Sequence, residues 1–170
     1  NMARCPDTEL GKEIAALRRT LRTLRGENGC PWDREQGLDD IISYLIEEAY
    51  ELLRAEKSGS ARDVEEELGD VLFLVVFAHE LLLEKRKTGL AAIVAGAHRK
   101  IVRRHPHVFG STKARTRAES LVEWERIKRA ERTRRRAETL LGGVPEHLPP
   151  LRRAAAVQNK AAGVGFDWPS

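Results

Sequence analysis

Residues 39–83 read DDIISYLIEEAYELLRAEKSGSARDVEEELGDVLFLVVFAHELLL, and this stretch decides the fold. Two runs with the apolar spacing of a helix are separated by Ser58, Gly59 and Ser60, residue types that favour a break. The first run extends to about Glu56. Because the break is so short, we predict that the two helices lie antiparallel and side by side as a hairpin.

The starts of the two helices carry capping signals. Asp39 or Asp40 is predicted to cap the first helix, and Asp63 with Glu66 three residues later is predicted to form a capping box for the second. From Val71 to Leu83 apolar residues cover nearly every side of the second helix, which indicates that other helices enclose it. A chain of this length has few helices to do so, and the pattern therefore points to a dimer.

The rest of the chain also favours helices. Aromatic residues make up 5% of the chain, with 41% hydrophobic and 33% charged residues, so we predict an all-α protein. Further helices are predicted from Asp7 or Thr8 to about Gly26, from about Leu90 to Arg104, from Ala118 to Leu141 and, as one short element, within Leu151 to Ala162; Cys30, Pro31 and Trp32 are predicted to form a turn.

Four acidic side chains of the hairpin are spaced to meet. Glu48 and Glu51 lie three residues apart on its first helix, and Glu67 and Asp70 three residues apart on its second, so each pair projects from one side of its helix. Carboxylates gathered in a partly dry space repel one another, and an all-oxygen ligand set selects a hard cation such as magnesium. The alternative is that these are solvated glutamates paired with Lys and Arg along the helix.

Charge is distributed unevenly along the chain. The net charge is +4, yet residues 99–136 are rich in Lys and Arg while residues 47–70 are strongly acidic. A basic segment can hold phosphates beside an acidic metal site. The alternative function is a basic helical nucleic-acid-binding module without catalytic activity, suggested by residues 126–136 and a pI of about 9.3, but it leaves the acidic hairpin unexplained. A di-iron bundle is disfavoured, since the hairpin glutamates lack a His three residues later.

The location of the protein is also predicted from its composition. The apolar stretch from Val71 to Ala78 is too short to cross a bilayer and no signal peptide opens the chain, so we expect a cytoplasmic protein without a membrane partner. Cys5 and Cys30 are not spaced for a disulfide framework or a zinc site and are expected to be reduced thiols.

The acidic motif has a recognisable form. Glu47-Glu48-Ala49-Tyr50-Glu51 followed by Glu67-Leu68-Gly69-Asp70 resembles the E-E-x-x-E, then E-x-x-D signature of the all-α nucleotide pyrophosphohydrolase superfamily. Within that superfamily the chain is similar to the MazG family from Leu17 to Trp168. The supporting stretches are Cys30-Pro31-Trp32-Asp33 with Gln36, residues 44–51 (YLIEEAYE), residues 103–110 (RRHPHVFG), Trp124 with Lys128, and Gly165-Phe166-Asp167-Trp168.

The resemblance implies a fold and an activity. The fold is a helical-hairpin bundle completed by an intertwined homodimer. The activity is hydrolysis of a nucleoside triphosphate at the α–β bond to the monophosphate and pyrophosphate, in a role that includes house-cleaning of the nucleotide pool. The implied cofactor is magnesium, with manganese as a substitute, and the implied metal ligands are Glu48, Glu51, Glu67 and Asp70.

The resemblance also implies roles for other residues. Glu47 and Glu48 are the candidate catalytic residues, because a carboxylate can accept the proton of the attacking water. From the residues alone, the basic segment is equally a solvated helix end, and Trp124 is more often a packing residue than a base-stacking one. The implied substrate contacts are Lys100, Arg103 and Arg104 to the phosphates and Trp124 near the base, and nucleic acid is not an expected partner.

The organisation of the chain follows from the same match. We expect a single MazG-like domain over residues 1–170, with residues 1–6 as a tag remnant and disordered start and residues 142–170 as a C-terminal tail with a short helix. Many family members carry two copies of the domain, and this chain stops where a second copy would begin. After Gln36 the family commonly has Thr-His, where this chain has Gly37-Leu38, which puts substrate affinity or selectivity in question.

Two further side chains are expected to be structural. Trp32 is predicted to anchor the turn that follows Cys30 and Pro31. His79 is predicted to be a hydrogen-bonded core residue rather than a metal ligand.

Overall fold

The computed structural model describes residues 7–85, 88–111, 116–133, 141, 144–146 and 148–166. Within these residues all regular structure is helical and no strand occurs, so the predicted all-α class is confirmed. None of the described helices is long and apolar enough to span a lipid bilayer. The helices are α1 (Asp7–Leu24), α2 (Pro31–Glu35), α3 (Leu38–Ser58), α4 (Ala61–Lys85), α5 (Leu90–Arg104), α6 (Pro106–Phe109), α7 (Arg117–Thr133) and α8 (Pro150–Ala162).

The chain forms two compact units, Asn1–Val94 and Ala95–Ser170. The first unit contains α1 to α4 and the start of α5. The second contains the rest of α5 and the helices that follow it.

The predicted hairpin is confirmed in the first unit, where α3 and α4 pack against each other along their length. Gly59 ends α3 in the left-handed conformation, with φ of 77°, and its N–H donates to the carbonyl of Glu56 at 3.2 Å. Glycine has no Cβ to clash in that conformation, so the chain can reverse within two residues.

The helix starts differ from the predicted caps. Helix α3 is capped at Gly37, whose N–H donates to Asp40 Oδ2 at 2.8 Å, so Asp40 acts from within the first turn. The predicted capping box at Asp63 is wrong, because α4 begins at Ala61. Ser60 Oγ instead accepts the N–H of Asp63 at 3.3 Å. Both starts are still satisfied by a side-chain oxygen, as a helix N-terminus requires.

The core of the first unit lies where α1, α3 and α4 meet. The four most completely buried side chains are Leu21 of α1, Ile41 of α3, and Val76 and Phe77 of α4. Burying each such side chain stabilises the fold by about 1.5–3 kcal/mol, which makes this cluster the main support of the hairpin. Leu74 and Leu81 complete the buried cluster, and Leu17, Tyr44, Leu45, Phe73 and Ala78 pack against it.

The apolar surface of α4 is only partly enclosed within one chain. Three apolar residues of α4 and four of α3, spaced to lie on one side of each helix, stay between 39% and 54% exposed. We call these seven residues the exposed hairpin face: Ile42, Ile46, Tyr50, Leu53, Leu68, Leu72 and Val75.

The segment after α1 was predicted as a turn and is instead the short helix α2. Pro31 occupies its first turn, where the fixed φ of proline suits a helix and its missing N–H costs nothing. Arg25 Nη1 donates to the carbonyls of Asp33 and Gln36 at 2.6 and 3.2 Å. A side chain of the segment that follows α1 thus satisfies carbonyls that so short a helix leaves open.

In the second unit the predicted helix positions agree with the structure as far as it is described. The predicted helix from Leu90 to Arg104 matches α5, and the predicted short helix matches α8. Helix α7 is described to Thr133, and the predicted extension over residues 134–140 lies outside the described residues. The expected disordered start at residues 1–6 and the motif residues Asp167 and Trp168 also lie outside them.

Candidate metal and nucleotide site

Three of the four predicted metal ligands converge between α3 and α4. One carboxylate oxygen each from Glu48, Glu67 and Asp70 lies within 4.8 Å of the others. We call this group the carboxylate cluster. Glu67 and Asp70 are three residues apart and share a side of α4, and the short loop brings that side opposite Glu48.

The cluster occupies positions that elsewhere along the hairpin are apolar. Asp70 and Glu67 precede the buried Leu74 by four and seven residues, and Glu48 follows the buried Ile41 by seven residues. At this spacing the three carboxylates lie in line with the buried stripes of their helices, with Glu48 and Glu67 half-buried and Asp70 exposed. Ala55, seven residues after Glu48 and nearer the loop, is again buried, so Glu48 interrupts the apolar stripe of α3 and does not end it.

The electrostatics of the cluster favour a bound cation. The pKa of Glu48 is raised, first by burial, then by the negative charges of Asp70, Glu51 and Glu67, and further by a hydrogen bond with Glu67. Each of these causes disfavours a negative charge, and a cation would relieve all of them. Carboxylate oxygens are the donors that magnesium and calcium select over softer ligand sets, so these residues fit a hard divalent ion.

Glu51, the fourth predicted ligand, lies outside the cluster. Its Oε2 accepts a hydrogen bond from Arg54 Nη2 at 2.7 Å, three residues along the same helix. The Arg54 side chain is 74% exposed. An exposed pair of this kind contributes about 0.2–1 kcal/mol, so Glu51 can leave Arg54 at small cost. Its charge already acts on Glu48.

Glu47, the other candidate catalytic residue, is exposed on α3. It is adjacent to Glu48 in the chain and does not belong to the carboxylate cluster. Adjacent residues on a helix point in different directions, which accounts for the separation.

The predicted phosphate-contacting residues lie in the second unit, where two of them share an acidic partner. Arg103 Nη2 and Arg104 Nη2 lie 2.6 and 2.7 Å from the two carboxylate oxygens of Glu131 on α7. Lys100 is exposed on α5, one helical turn before Arg104. The basic segment is thus ordered by a contact with α7 as well as by its helix.

Trp124, the predicted base contact, is covered by cations. Lys128 Nζ lies 4.3 Å from the centre of the Trp124 ring system, and the guanidinium carbon of Arg104 lies 5.4 Å from it. Both distances are within the range of a cation–π interaction. In this arrangement Trp124 packs beneath charged side chains, and a base that stacks on a covered face must first displace one of them.

Sequence reasoning missed two features of these units. Glu131 lies 28 residues from Arg103 and 27 from Arg104, so no helical spacing in the sequence predicts the contact. Trp32, expected to anchor a turn, is 55% exposed and lies with its ring 5.8 Å from that of Tyr44. Tyr44, which is half-buried and packs against the core, precedes Glu48 by one helical turn of α3. The signal for this ring contact in the sequence was the tryptophan itself.

The neighbouring polar residues of α4 have structural contacts. His79 is buried with Nε2 3.2 Å from the carbonyl of Thr88, which confirms its predicted core role. Glu80, which the sequence did not single out, is 6% exposed and accepts hydrogen bonds from Arg18 and Arg22 of α1 at 2.6 and 2.7 Å. These contacts tie α4 to α1 at the end of the hairpin away from the carboxylate cluster.

Comparison with known proteins agrees with this geometry. Residues 36–109, which include the whole carboxylate cluster, match the MazG nucleotide pyrophosphohydrolase domain. The chain is 41% identical over 157 residues to the nucleoside triphosphate pyrophosphohydrolase of Escherichia coli (strain K12), covering 92% of this chain and 60% of that protein. It is 36% identical over 160 residues to the nucleoside triphosphate pyrophosphohydrolase/pyrophosphatase MazG of Thermotoga maritima, covering 94% of this chain and 61% of that protein.

A more distant relative extends the same match. The nucleoside triphosphate pyrophosphohydrolase of Mycobacterium tuberculosis is 32% identical over 164 residues, covering 95% of this chain and 48% of that protein. The chain thus spans about half to three-fifths of the length of these relatives. In its acidic motif, in the domain match over residues 36–109 and over most of its own length, the chain is similar to MazG-type nucleotide pyrophosphohydrolases.

Proposed function

We propose that this chain hydrolyses nucleoside triphosphates between the α and β phosphates, releasing the nucleoside monophosphate and pyrophosphate, with magnesium as its cofactor. The observation that carries the proposal is the convergence of Glu48, Glu67 and Asp70 within 4.8 Å between α3 and α4, with Glu48 and Glu67 half-buried. Such a group costs stability unless a cation is bound. The names of the related enzymes supply the reaction class.

The metal would be held by the carboxylate cluster, with Glu51 as a fourth ligand after it leaves Arg54. A bound magnesium ion supplies positive charge to the phosphate oxygens and lowers the pKa of the attacking water, and manganese is expected to substitute for it. Glu47 is exposed and outside the cluster, which leaves its carboxylate available as the acceptor of the water proton. Glu48 is the second candidate for that role.

The basic residues of the second unit are assigned to the phosphates. Hydrolysis at the α phosphate needs stabilisation of the leaving pyrophosphate, which carries most of the charge that develops. Arg103 and Arg104 can each offer a two-pronged contact to a phosphate group, and Lys100 can add a single cation. Trp124 is assigned to the base, with Lys128 as the cation that a stacked base would replace.

Product analysis tests the reaction. The protein is incubated with magnesium and a panel of canonical and modified nucleoside triphosphates in ¹⁸O-labelled water, and the products are identified by mass spectrometry. Monophosphate with pyrophosphate, and the label in the monophosphate, is the expected result, because water attacks the α phosphorus. Orthophosphate with diphosphate, or label in the pyrophosphate, would contradict it. Preference for modified bases would support a house-cleaning role in the cytoplasm, where we expect the protein.

The exposed hairpin face supports a homodimer as the active form. Seven apolar side chains on adjacent helices remain uncovered within one chain, although α4 has the all-round apolar pattern of an enclosed helix. A second copy of the chain is the proposed occupant, since a self-complementary apolar patch is typical of a two-fold dimer.

Sedimentation velocity tests the dimer with a matched pair of variants. Ile42→Glu places a charge on the exposed hairpin face and is expected to give a monomer. Leu10→Glu places the same charge at an exposed apolar residue of α1, outside that face, and is expected to leave the dimer intact. A wild-type protein that sediments as a monomer at micromolar concentration would overturn the assignment.

A further inference from the structure

Glu131 binds two arginines whose side chains project in different directions from the same helix. Arg103 and Arg104 are neighbours at the end of α5, and neighbouring residues on a helix project about 100° apart. Arg103 Nε and Nη2 nevertheless lie 2.7 and 2.6 Å from Oε1 of Glu131, while Arg104 Nε and Nη2 lie 3.1 and 2.7 Å from its Oε2. One carboxylate from α7 therefore draws two diverging guanidinium groups together.

The contact is more confined than a surface ion pair. The side chains of Arg104 and Glu131 are 16% and 22% exposed, whereas Arg103 is 58% exposed. The pKa of Glu131 is lowered, chiefly by the hydrogen bond from Arg104 and also by Arg103, against the opposing effect of burial. Arg104 is held on a second side by the ring of Trp124. The carboxylate is thus ionised and its more buried partner is fixed.

Each guanidinium keeps donors for a ligand. Both arginines use the edge formed by Nε and Nη2 to bind Glu131, and in the described part of the chain neither Nη1 has a hydrogen-bond acceptor. An arginine has five N–H donors in a fixed planar fork, so the outer edge of each group stays available. Two such edges held side by side fit adjacent phosphate groups, which accept paired hydrogen bonds from guanidinium.

We propose that Glu131 is a positioning residue, which holds Arg103 and Arg104 together as a preformed clamp for the polyphosphate part of the substrate. The inference rests on the proposed function for the identity of that ligand. Glu131 touches the arginines and not the substrate. Its effect is to fix two flexible side chains before the ligand arrives, so that less rotamer freedom is lost on binding.

The negative charge of Glu131 is expected to weaken phosphate binding, whereas its positioning effect is expected to strengthen it. An experiment can therefore tell the two effects apart. A negative charge beside two arginines lowers their attraction for phosphate, so removing it strengthens binding if charge alone matters. If positioning dominates, removing it weakens binding. Glu131→Gln separates the two effects, because the amide keeps the side-chain size but offers one acceptor oxygen and turns its NH₂ group toward one of the arginines.

The experiment compares Glu131→Gln with Glu123→Gln in the full chain. Glu123 lies on the same helix and pairs with Arg126 through Oε1 at 2.7 Å, so it loses the same charge and a similar ion pair without touching the clamp. For each protein, isothermal titration calorimetry measures inorganic pyrophosphate binding with magnesium, and steady-state kinetics measure KM and kcat. Thermal unfolding shows whether each variant is folded. Glu131→Asp, which keeps both acceptor oxygens on a shorter side chain, replaces Glu131→Gln if the latter does not fold.

We expect Glu131→Gln to raise the pyrophosphate Kd and the substrate KM about tenfold, with kcat little changed and Glu123→Gln like wild type. Glu131→Asp should show a smaller rise of the same kind. Unchanged or tighter pyrophosphate binding in Glu131→Gln would overturn the clamp. Suppose that wild type binds pyrophosphate, that Glu131→Gln binds it more weakly, and that neither protein hydrolyses a triphosphate. The clamp is then supported and the proposed reaction is refuted. Normal hydrolysis with an unchanged KM would instead mean that the reaction holds while the clamp fails.

Discussion

Replacing Glu67 by glutamine is expected to stabilise the metal-free protein while it removes activity. Glu67 faces two other carboxylates, those of Glu48 and Asp70, within 4.8 Å. At that distance two unit charges in water repel by about 0.9 kcal/mol, and the repulsion is larger where burial lowers the dielectric. Removing one member of the trio cancels two such repulsions, about 2 kcal/mol. Glutamine can also donate to Glu48, where the wild-type hydrogen bond needs a shared proton.

The expected shift is large enough to measure by calorimetry. For a chain of this size, about 2 kcal/mol raises the unfolding temperature by about 4–8 °C. The comparison is made at pH 8 in the presence of a chelator, so that no divalent ion is bound. Glu66→Gln is the matched control, since Glu66 is exposed next to Glu67 and outside the carboxylate cluster. Its unfolding free energy should change by less than about 0.5 kcal/mol.

Adding magnesium should reverse the order of stability. Wild type gains about 2.7 kcal/mol when the free ion is at 100 times its Kd, whereas Glu67→Gln has lost a ligand and should gain less. Turnover should be abolished in Glu67→Gln and retained in Glu66→Gln. The reasoning is refuted if Glu67→Gln is less stable than wild type in chelator, or if it keeps the full magnesium-dependent rise. Retained activity would remove Glu67 from the ligand set.

The remaining predictions concern the scaffold. Phe77→Ala should cost about 3–5 kcal/mol in urea unfolding, since Phe77 is fully buried, and a loss below about 1 kcal/mol would place the core elsewhere. Burial raises the pKa of Glu80, but hydrogen bonds from Arg18 and Arg22 lower it more, so its net pKa is below the ordinary 4.5. Its stabilising contribution is therefore present above that value and is lost as the pH falls through the folded-state pKa. Glu80→Gln should cost about 2 kcal/mol at pH 7 and progressively less in acid; a deficit that does not change with pH would contradict this. Gly59→Ala should cost about 1 kcal/mol in the same unfolding assay because φ there is 77°, and no loss would mean that the turn relaxes.

The hairpin was predictable because its determinants are local. Apolar spacing defines each helix, and a break at Ser58, Gly59 and Ser60 is too short for any arrangement but a reversal. The exact start of α4 was not predictable in the same way. Ser60 and Asp63 are both good capping residues three positions apart, and the choice between them depends on which backbone N–H groups are left open.

Local spacing predicted most of the convergence of the carboxylates but not the separate position of Glu51. The three-residue spacings place Glu67 with Asp70 on one side of α4 and Glu48 with Glu51 on one side of α3, and the hairpin brings these sides together. Glu51 differs because Arg54, also three residues away, competes for its carboxylate on the exposed side of the helix. Spacing rules allow Glu51 either to pair with Arg54 or to join the carboxylate cluster, and they do not decide between the two.

Long-range ion pairs were the part that sequence reasoning could not reach. Glu80 with its two arginines of α1, and Glu131 with Arg103 and Arg104, each join residues 27 to 62 positions apart. In a chain with 30 basic and 26 acidic residues, many pairings are electrostatically equivalent until the backbone selects among them. Packing therefore decides the partners, and charge patterning alone does not.

The hairpin carries both the apolar core that stabilises the fold and a carboxylate cluster that destabilises it in the absence of a cation. Away from the loop, Leu74, Phe77 and Leu81 fill the buried stripe of α4 and belong to the core cluster. Nearer the loop the same stripe carries Glu67 and Asp70, which repel Glu48 in the absence of a cation. A sequence selected for stability alone would carry apolar residues at these positions too, because removing the charges relieves repulsion. A local departure of this kind from an otherwise consistent pattern is expected where function requires it. If replacing Glu48 or Glu67 by an apolar residue of similar size left the chelator-treated protein less stable than wild type, that explanation of the departure would be wrong.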